Sequence, residues 1–490
     1  MKTILYLFCL LLFSSCVATK YNPAKKYSPA ALQSDYKLFR EILEDAHPSL
    51  YWYTPKDSMD FFFAKGSEML QDSLTEPKFR AALAYVIAKI KCGHTSVRAS
   101  KAASRYNSLR DSSFPLFVKI WPDTAVVTMN LNRRDSDVSR GVILKSIENR
   151  PMDFVVDSLF TYLSADGNNT THKYQTLSNG SNFRSMYAVV FGVNSQTKVT
   201  YIDSTERLKT SSITLFKPAP DSLRSFNMPK LSRSQRKKLQ RESVRNLKVD
   251  STLNTAFMEV NSFTKGNGLR KFFRRSFRSL QNDDIANLVV DMRGNGGGSV
   301  VLSNLLTKYI ANKPFKIADS LYAIKRSSRY GKYQEHRLIN WLFLVFFTRK
   351  KSDHNYHFAF FENKYFKPKR KHHFSGTTYI LTGGNTFSAA SLFTKSLIKQ
   401  DDVIVVGEET GGGAYGNTAW LIPDVTLPNT GVRFRLPLFR MIIDKDAQKG
   451  RGVMPEVEVL PTVNSIRSGV DFKMEKVKEM IRNNERSLPH

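Results

Sequence analysis

The sequence places one candidate nucleophile between a strand and a helix. In the stretch LTGGNTFSAASLFTKSLIKQ, an apolar run ends in two glycines and a helical pattern begins at Ser388. A serine at a helix start commonly accepts hydrogen bonds from free backbone N–H groups. In a strand–turn–helix elbow, a serine can instead present its hydroxyl as a nucleophile beside those donors. This stretch alone leaves both roles open.

A second turn, GNGGG from Gly294 to Gly298, also follows a strand-like run. It lacks the Gly-Lys-Ser/Thr ending of a phosphate loop, and it fits the dinucleotide-binding pattern poorly. Glycines here allow backbone N–H groups to face a cavity, which suits an oxyanion as well as a phosphate. The turn is therefore a candidate anion site whose ligand the pattern does not specify.

Strands and helices alternate around both turns, so residues 251–490 are predicted to form one α/β unit with parallel strands and right-handed crossovers. An insertion at about 315–375 interrupts this unit and holds NWLFLVFFTRKK and KPKRKHH. The aromatic run in this insertion is either a buried segment or a segment that lies in a membrane interface.

The earlier part of the chain is predicted to form three further segments. Residues 16–110 form a helical unit that begins with Ser28 as a helix N-cap and ends its last long helix at Gly93. Residues 111–210 are rich in short strands, either as a PDZ-like module or as a generic β-rich insert. Residues 211–250 are a basic linker or a solvated charged helix.

Composition limits the kinds of partner. The 490 residues carry a formal charge of +31, and a hydrophobic content of 41% is typical of a globular protein. Such a charge favours anionic surfaces. No zinc-finger spacing, RNA-binding aromatic signature or basic heptad region is present in the sequence, so no nucleic-acid partner is expected.

The first residues predict export. Residues 1–15 have the pattern of a signal peptide, and Ser14-Ser15-Cys16 is similar to a bacterial lipoprotein cleavage site. We therefore expect a lipid on Cys16 and a membrane-anchored lipoprotein of the bacterial cell envelope, on the periplasmic side. An ordinary cleaved signal is the alternative. Only Cys92 remains in the body of the chain, which excludes an intramolecular disulfide there.

Four blocks in order, LVVDMRGNGGG, TGGNTFSAAS, GEETGGG and GRGVMPEVEV, resemble the C-terminal processing (tail-specific) serine peptidases. The resemblance covers most of the mature chain and implies a crotonase-like (ClpP/crotonase) α/β catalytic core with an N-terminal helical unit and a PDZ-like module. It makes Ser388 the nucleophile, with oxyanion donors from Ala389 and the Gly296–Gly297 turn. Ser391 is a competing hydroxyl for which a buried or capping role is favoured. The resemblance implies no metal or cofactor.

The sequence departs from the best-known members of that family, which use a lysine as the base. The matching position is Gly413, and Lys395 lies too far along the helix to reach Ser388. A serine without a base is a poor nucleophile. The segment KIKCGHTSVR resembles the histidine segment of the tricorn-like branch, which makes His94 the candidate base. Thr95 or Ser96 is expected to form hydrogen bonds within the site.

A histidine base needs an orienting partner. The candidate carboxylates are Glu408 and Glu409 in GEETGGG, and Asp444 and Asp446 in MIIDKDAQKGRG. The resemblance to the tricorn-like branch favours Asp446. Asp291 is predicted to be structural, holding Arg293 or the nearby backbone.

The resulting hypothesis is an exported serine endopeptidase that hydrolyses protein or peptide substrates. One alternative is a non-catalytic protein that binds a hydrophobic ligand or peptide on the same scaffold. A third class, a basic envelope protein that holds anionic lipid or polymer, depends on charge alone.

Overall fold

The structure is a computed structural model that describes residues 21–106, 112–132, 137–218 and 231–487. The predicted signal segment 1–15 and the predicted lipidation site Cys16 lie outside the described residues. Across the described ranges, no helix combines the length and the apolar content that a bilayer crossing requires.

The first unit is a small group of helices. Its elements are β1 (Lys26–Tyr27), α1 (Pro29–Ala46), α2 (Lys56–Glu68), β2 (Leu74–Thr75), α3 (Glu76–Ile90), β3 (Val97–Arg98) and α4 (Lys101–Arg105). As predicted, α1 begins after an N-cap, because the Ser28 hydroxyl accepts the N–H of Ala31 at 3.4 Å. The apolar faces of α1 to α3 are buried in a hydrophobic core that they share with later residues such as Phe273, Leu306 and Phe393. We call this the main core.

The end of α3 differs from the prediction. The helix ends at Ile90, and Lys91 takes the left-handed conformation with φ 57°, so Gly93 is not the residue that ends it. A different constraint acts on Gly93. A Cβ there would lie 2.8 Å from the ring of Phe387 and 3.2 Å from Asp166 Oδ1. Glycine at this position lets the loop that carries His94 approach both residues.

The second unit has its own core, around Phe114, Leu144, Leu159, Tyr187 and Tyr201. Its elements are β4 (Leu116–Trp121), β5 (Thr124–Asn130), β6 (Ile143–Ile147), β7 (Arg150–Pro151), α5 (Met152–Phe160), α6 (Thr170–Ser178), α7 (Asn182–Phe191), β8 (Gln196–Ile202) and β9 (Leu208–Thr214). The strands form an antiparallel sheet of order β4-β5-β6-β8-β9, with β7 paired to β6. A strand, a tight turn and a helix follow one another from β6 to α5.

The segment predicted as a linker contains regular structure. Helix α8 (Arg233–Val244) has no buried residue, and it fits the charged helix that the sequence left open. The strand β10 (Arg245–Asp250) follows directly and pairs with residues 255–260, in the large sheet described below. Leu247 packs partly against the main core, whereas Val249 is exposed. A strand with so few apolar residues is hard to detect in the sequence when it follows a run of basic residues. Residues 219–230 of the predicted linker lie outside the described residues.

The rest of the chain alternates strands with helices and short loops. Its elements are β11 (Thr255–Val260), α9 (Leu269–Asn282), β12 (Asn287–Asp291), α10 (Val300–Ile310), β13 (Phe315–Lys316), β14 (Ser320–Ala323), a 3-10 turn (Gly331–Tyr333), α11 (Arg337–Phe347), β15 (Arg349–Lys350), β16 (Tyr356–His357), β17 (Tyr365–Phe366), β18 (Thr377–Thr382), α12 (Ala389–Leu397), β19 (Val403–Gly407), β20 (Gly416–Asn417), β21 (Asp424–Thr426), β22 (Arg433–Arg435), β23 (Arg440–Ile442), β24 (Val457–Glu458), α13 (Val463–Ser468) and α14 (Phe472–Ser487).

A six-stranded sheet of order β10-β11-β12-β18-β19-β24 organises this part. Its strands are parallel from β11 to β24, and only β10 is antiparallel. Val477 and Ile481 of α14 cover one face. Since parallel strands end at the same edge, the turns after β12, β18 and β19 meet there. A mixed α/β fold is thus confirmed.

Two smaller sheets join the insertion and the first unit to this sheet. The order β15-β16-β14-β23-β20 connects the insertion to the strands after β19. In the second small sheet, β3 of the helical unit pairs with β22, through Val97 opposite Phe434 and Arg98 opposite Arg433. The loop that precedes β3, which carries His94, is therefore fixed against the part of the chain that contains the six-stranded sheet.

Candidate active site

Ser388 occupies a strained elbow between β18 and α12. Its backbone has φ 56° and ψ −121°, which is unusual for a residue with a side chain. Its hydroxyl makes no capping hydrogen bond to the helix. The sequence left open whether Ser388 caps the helix or presents its hydroxyl as a nucleophile. The structure excludes the capping role, because this serine begins a helix without capping it. Such a geometry is typical of a nucleophile elbow.

The glycine-rich turn after β12 packs directly against this elbow. The Phe387 N–H donates to the carbonyl of Asn295 at 3.0 Å. Gly297 has φ +100°, and a Cβ on it would lie 2.7 Å from the Ser388 Cβ and 2.8 Å from the Phe387 carbonyl oxygen. Glycine is required here both for the backbone conformation and for the close approach.

The predicted oxyanion donors are not equivalent. The N–H of Gly297 donates to Asn295 Oδ1 at 2.8 Å and is therefore already in use. Ala389 is the first residue of α12, where an N–H has no intrahelical acceptor. Within the described residues, neither the Ala389 N–H nor the Gly296 N–H has a hydrogen-bond partner. These two groups remain available to a ligand oxygen, whereas the prediction for Gly297 is corrected.

His94 is buried next to the elbow. Its side chain is 3% exposed, and its ring centroid lies 4.6 Å from that of Phe387, the residue before Ser388. Neither ring nitrogen has a hydrogen-bond partner in the described part of the chain. A buried polar group without a partner costs about 1–3 kcal/mol, so its persistence indicates a role other than stability.

The carboxylate beside His94 belongs to Asp166, which the sequence reasoning missed. Asp166 Oδ1 lies 3.7 Å from His94 Nδ1, and both side chains are almost completely buried. The same oxygen accepts the Gly93 N–H at 2.8 Å, and Oδ2 accepts the Gly413 N–H at 3.2 Å. Asp166 therefore joins the His94 loop to the GEETGGG loop. The polar turn ADGNN before α6 was the available sequence signal.

The loop of residues 164–169 holds this carboxylate through contacts on both sides. The Ser164 hydroxyl donates to the carbonyl of Cys92 at 2.6 Å, in the helical unit. Asn169 Nδ2 donates to the carbonyl of Thr410 at 2.7 Å, in the catalytic unit. The site is thus assembled from all three units of the chain.

The carboxylates proposed from the sequence lie elsewhere. Glu408 forms a buried ion pair with Lys473, and burial lowers the pKa of that lysine. Asp446 is exposed, and its backbone N–H donates to Asp444 Oδ1 at 3.0 Å. The structure therefore corrects both assignments, since Asp166 occupies the position next to His94 for which Asp446 or Glu408 was proposed.

The remaining two candidates also have structural partners. Asp444 pairs with Lys395 at 2.7 Å. Glu409 pairs with Arg451 at 2.9 Å and accepts the Gly452 N–H. Asp291 accepts hydrogen bonds from the guanidinium and the backbone N–H of Arg293, so the structural role predicted for it is confirmed.

Gly413, which the sequence resemblance aligned with a base lysine, is enclosed by backbone. A Cβ on Gly413 would lie 2.5 Å from the Gly416 carbonyl oxygen and 3.5 Å from the Asp166 Cβ. A lysine side chain would have to enter the space that Asp166 fills. Ser391, the competing hydroxyl, is buried and donates to the Thr386 carbonyl at 2.7 Å, which is a structural role.

A second buried histidine supports the His94 loop from behind. His47 Nδ1 accepts the Ser49 N–H at 3.2 Å, so its Nε2–H donates to Thr95 Oγ1 at 2.7 Å. Thr95 Oγ1 in turn lies 3.2 Å from Cys92 Sγ. Burial, reinforced by the charge of Arg440, lowers the pKa of His47 to about 3. This histidine is therefore neutral at physiological pH and fixes the residue next to His94.

Phe387 lies between two histidine rings. His172 stacks on it with a centroid distance of 4.8 Å and an interplanar angle of 18°. His172 Nδ1 donates to the Gly384 carbonyl at 2.7 Å, and burial lowers the pKa of the ring. The packing fixes the residue that precedes Ser388.

Comparisons with known proteins agree with this architecture. Residues 254–459 match the model of peptidase family S41. Mature CPAF complexed with lactacystin is 15% identical, with a TM-score of 0.63 over 93% of this chain and 99% of that chain. A serine-to-alanine mutant of CPAF is 14% identical, with a TM-score of 0.66 over 94% of this chain and 99% of that chain. No curated protein matches the chain in sequence.

A further similarity is to the photosystem II D1 C-terminal processing protease, at 13% identity and a TM-score of 0.38 over 91% of this chain and 98% of that chain. The segment that matches the family model begins near β11, ends after β24, and contains both the glycine-rich turn and the elbow. Residues 254–459 of this chain, which hold the elbow and the glycine-rich turn, therefore match those of a serine peptidase of family S41.

Proposed function

We propose that the protein is an exported endopeptidase in which Ser388 is the nucleophile, His94 is its general base and Asp166 orients the histidine. The observation that carries the proposal is the state of His94. It is buried between Asp166 and the residue before Ser388, and both of its ring nitrogens lack partners in the described chain.

The geometry supports a definite order of proton transfers. Asp166 lies nearest Nδ1, so a proton on Nδ1 leaves Nε2 to act as the base. As the Ser388 oxygen bonds to the substrate carbonyl carbon, its proton moves to Nε2. The N–H groups of Ala389 and Gly296 donate to the resulting oxyanion. His94 then passes the proton to the leaving amine as the peptide C–N bond breaks. Water next attacks the acyl-enzyme carbonyl, His94 takes a proton from that water, and it returns the proton to the Ser388 oxygen as the ester C–O bond breaks and the acid product leaves.

The separation of 3.7 Å between Nδ1 and Oδ1 is longer than a hydrogen bond. Catalytic hydrogen bonds commonly shorten when substrate is bound. In the proposed mechanism, the positive charge that develops on the imidazole draws the two groups together.

We assign the protein to the lysine-less, tricorn-like branch, with a crotonase-like core and a PDZ-like second unit. The support is Gly413 in place of the lysine, together with the strand–turn–helix order from β6 to α5. A cavity of about 350 Å³ lies between β4, β5 and α5, lined among others by Leu144, Lys145 and Val156. This cavity is the proposed receptor for a substrate tail.

The proposed location is the periplasmic side of the bacterial cell envelope, with a lipid on Cys16. The support is the sequence of the first 16 residues. The proposed substrates are exported proteins or peptides, and no nucleic-acid partner is proposed.

Labelling with a fluorophosphonate probe tests the mechanism. We expect wild type to be labelled on Ser388, and labelling to be lost in Ser388→Ala and in His94→Gln. Ser391→Ala, which removes a hydroxyl three residues away, is the matched control and should still be labelled. Lactacystin, with which CPAF has been crystallised, is a second probe. A folded wild-type protein that neither probe modifies would contradict the proposal and favour a binding protein on this scaffold.

A further inference from the structure

Helix α11 exposes a face of apolar side chains, which a helix at a protein surface normally buries. Six apolar residues among its 11 are exposed, from 37% at Leu342 to 75% at Phe346; the others are Leu338, Ile339, Trp341 and Phe347. Only Asn340 and Leu344 of the helix are buried. A surface helix normally directs polar residues outward, and a large exposed apolar patch marks an interaction site.

The orientation of α11 is fixed by its inner side. The ring of Phe343 packs 5.3 Å from that of Phe358 and 6.2 Å from that of Phe439. Asn340 Nδ2 donates to the Glu335 carbonyl at 3.0 Å, and Thr348 Oγ1 bonds to the Leu344 carbonyl. The helix is therefore anchored with its apolar side outward.

Basic residues flank this apolar face. Helix α11 contains no acidic residue, begins at Arg337, and is followed by the exposed Arg349 and Lys350. An apolar aromatic face with cations at its margins is typical of a helix that lies in the plane of a membrane interface.

A continuous series of contacts leads from α11 toward further cations. Phe358, which packs on α11, stacks on the exposed Phe360 at 6.1 Å. Lys364 Nζ lies 4.3 Å from the centre of the Phe360 ring and 5.6 Å from that of Phe366. Lys308 Nζ lies 5.1 Å from the Phe366 ring on the same strip.

The Lys369 N–H donates to the Lys308 carbonyl at 2.7 Å, which connects this strip to a basic cleft of about 440 Å³. It is lined by Arg274, Arg275, Arg278, Tyr309, Lys369, Lys371 and His372. No carboxylate lines it, and among the described residues none of its arginines or lysines forms an ion pair. Burial, followed by the charges of Arg278 and the two lysines, lowers the pKa of His372. Cations that repel one another in a cleft form a site for an anion.

We propose that α11 and this cleft form one surface that docks on an anionic lipid bilayer. The apolar face of α11 enters the interface, and the cleft receives the phosphate of a lipid headgroup. Charge complementarity favours this occupant. In a symmetric dimer through the same surface, the basic clefts of the two copies would repel each other. The surface is distinct from the Ser388 site, so this proposal does not depend on the proposed mechanism.

Vesicle flotation tests the proposal with the chain from residue 17 onward, which keeps every described residue and lacks the predicted lipidation site. Vesicles of phosphatidylcholine and phosphatidylglycerol in equal parts should bind the protein, and pure phosphatidylcholine should bind it weakly. The fluorescence of Trp341 should shift to the blue on the anionic vesicles, and Trp341→Phe should remove most of that shift.

Apolar variants test the role of α11. The triple change Leu338→Ser, Phe346→Ser and Phe347→Ser should weaken vesicle binding by about tenfold or more, because these side chains are exposed and their loss removes little packing. The matched control changes three other exposed apolar residues, Phe154, Leu208 and Leu460, to serine. This control should bind like wild type.

Charge variants test the cleft. Arg274→Gln, Arg278→Gln and Lys371→Gln together should weaken binding by about tenfold or more, with the loss largest at low salt. The matched control changes Arg233, Lys237 and Lys238 of α8 to glutamine; these residues are also exposed and carry the same charge. An equal loss in both variants would show general charge attraction and overturn the cleft as a site.

Two other results would overturn the proposal. One is vesicle binding that the α11 variant leaves unchanged. The other is sedimentation as a dimer in wild type and as a monomer in the α11 variant, which would assign the apolar face to a second copy of the chain.

Discussion

Two buried histidines near the elbow show opposite hydrogen bonding. Both nitrogens of His47 are bonded, one to the Ser49 N–H and one to the Thr95 hydroxyl. Neither nitrogen of His94 has a partner among the described residues, although Thr95 is its neighbour in the chain. Satisfied bonding indicates a structural histidine, whereas the nitrogens of a buried ring without partners cost stability and remain available to another group. In the proposed mechanism, this contrast separates the residue that supports the loop from the residue that serves as the general base.

The first prediction is that replacing His94 affects labelling and not stability, whereas replacing His47 lowers stability. His94→Leu should lower the rate of fluorophosphonate labelling by about 10⁴-fold, because the base is lost. Its free energy of unfolding should stay the same or rise, because no hydrogen bond is broken. His47→Leu should instead lower that free energy by about 1–3 kcal/mol, because two groups lose their partner. Chemical denaturation and labelling kinetics measure both quantities. Equal effects of the two variants would invalidate the contrast.

The second prediction concerns the partner of His94. Asp166→Asn should lower the labelling rate by about 10³-fold and change its pH profile, because a neutral amide cannot stabilise the imidazolium. Asp446→Asn is the control, since that side chain is exposed and should leave the rate unchanged. A strong effect of Asp446→Asn would restore the assignment made from the sequence.

The third prediction concerns the packing of the elbow. Gly297→Ala should slow labelling by about 10²-fold, because the added carbon displaces the Ser388 backbone. Gly296→Ala should have a smaller effect, since no atom lies within 4 Å of a Cβ built there. Circular dichroism serves as the check that both variants are folded. Equal rates for the two would show that the close contact does not position the serine.

The fourth and smallest effect is a pH dependence of stability from His47. Burial lowers its pKa in the folded protein to about 3, while the unfolded chain has the ordinary value of 6.5. Below pH 6.5, His47 binds a proton in the unfolded chain but stays neutral in the folded protein. His47 should therefore destabilise the fold as pH falls from 6.5 toward 3, by up to about 1.4 kcal/mol per pH unit.

His47→Gln keeps a donor for Thr95 and cannot titrate, so it should flatten this part of the curve. Urea unfolding at about pH 7.5 and about pH 5 gives the difference. An unchanged slope would assign the acid sensitivity to another group.

Local motifs made the elbow and the sheet predictable from the sequence. Glycine turns after apolar runs indicated where β12 and β18 end, and the four blocks pointed to the family. Asp166 could not be found in this way, because it lies 73 residues from Gly93 and reaches the site only through tertiary packing. The resemblance directed attention to the later segment instead, where Asp446 is exposed.

Short elements were missed for a similar reason. Strand β10 lies at the end of a basic run, and only its pairing with β11 identifies it as part of the sheet. Gly93 was interpreted as a helix terminator, whereas its function depends on Phe387, a residue far away in the chain. Such constraints can be recognised only when the contacts of the folded chain are known.

The absence of a side chain at Gly413 has a consequence for limited proteolysis. A lysine there would place the base on the same unit as the nucleophile. In the proposed mechanism, the base and its carboxylate come instead from the two preceding units, and the Gly413 N–H is one of the two backbone groups that hold Asp166. Residues 254–459 alone would thus lack a base, so a cut that lets this segment separate from the rest of the chain would end catalysis.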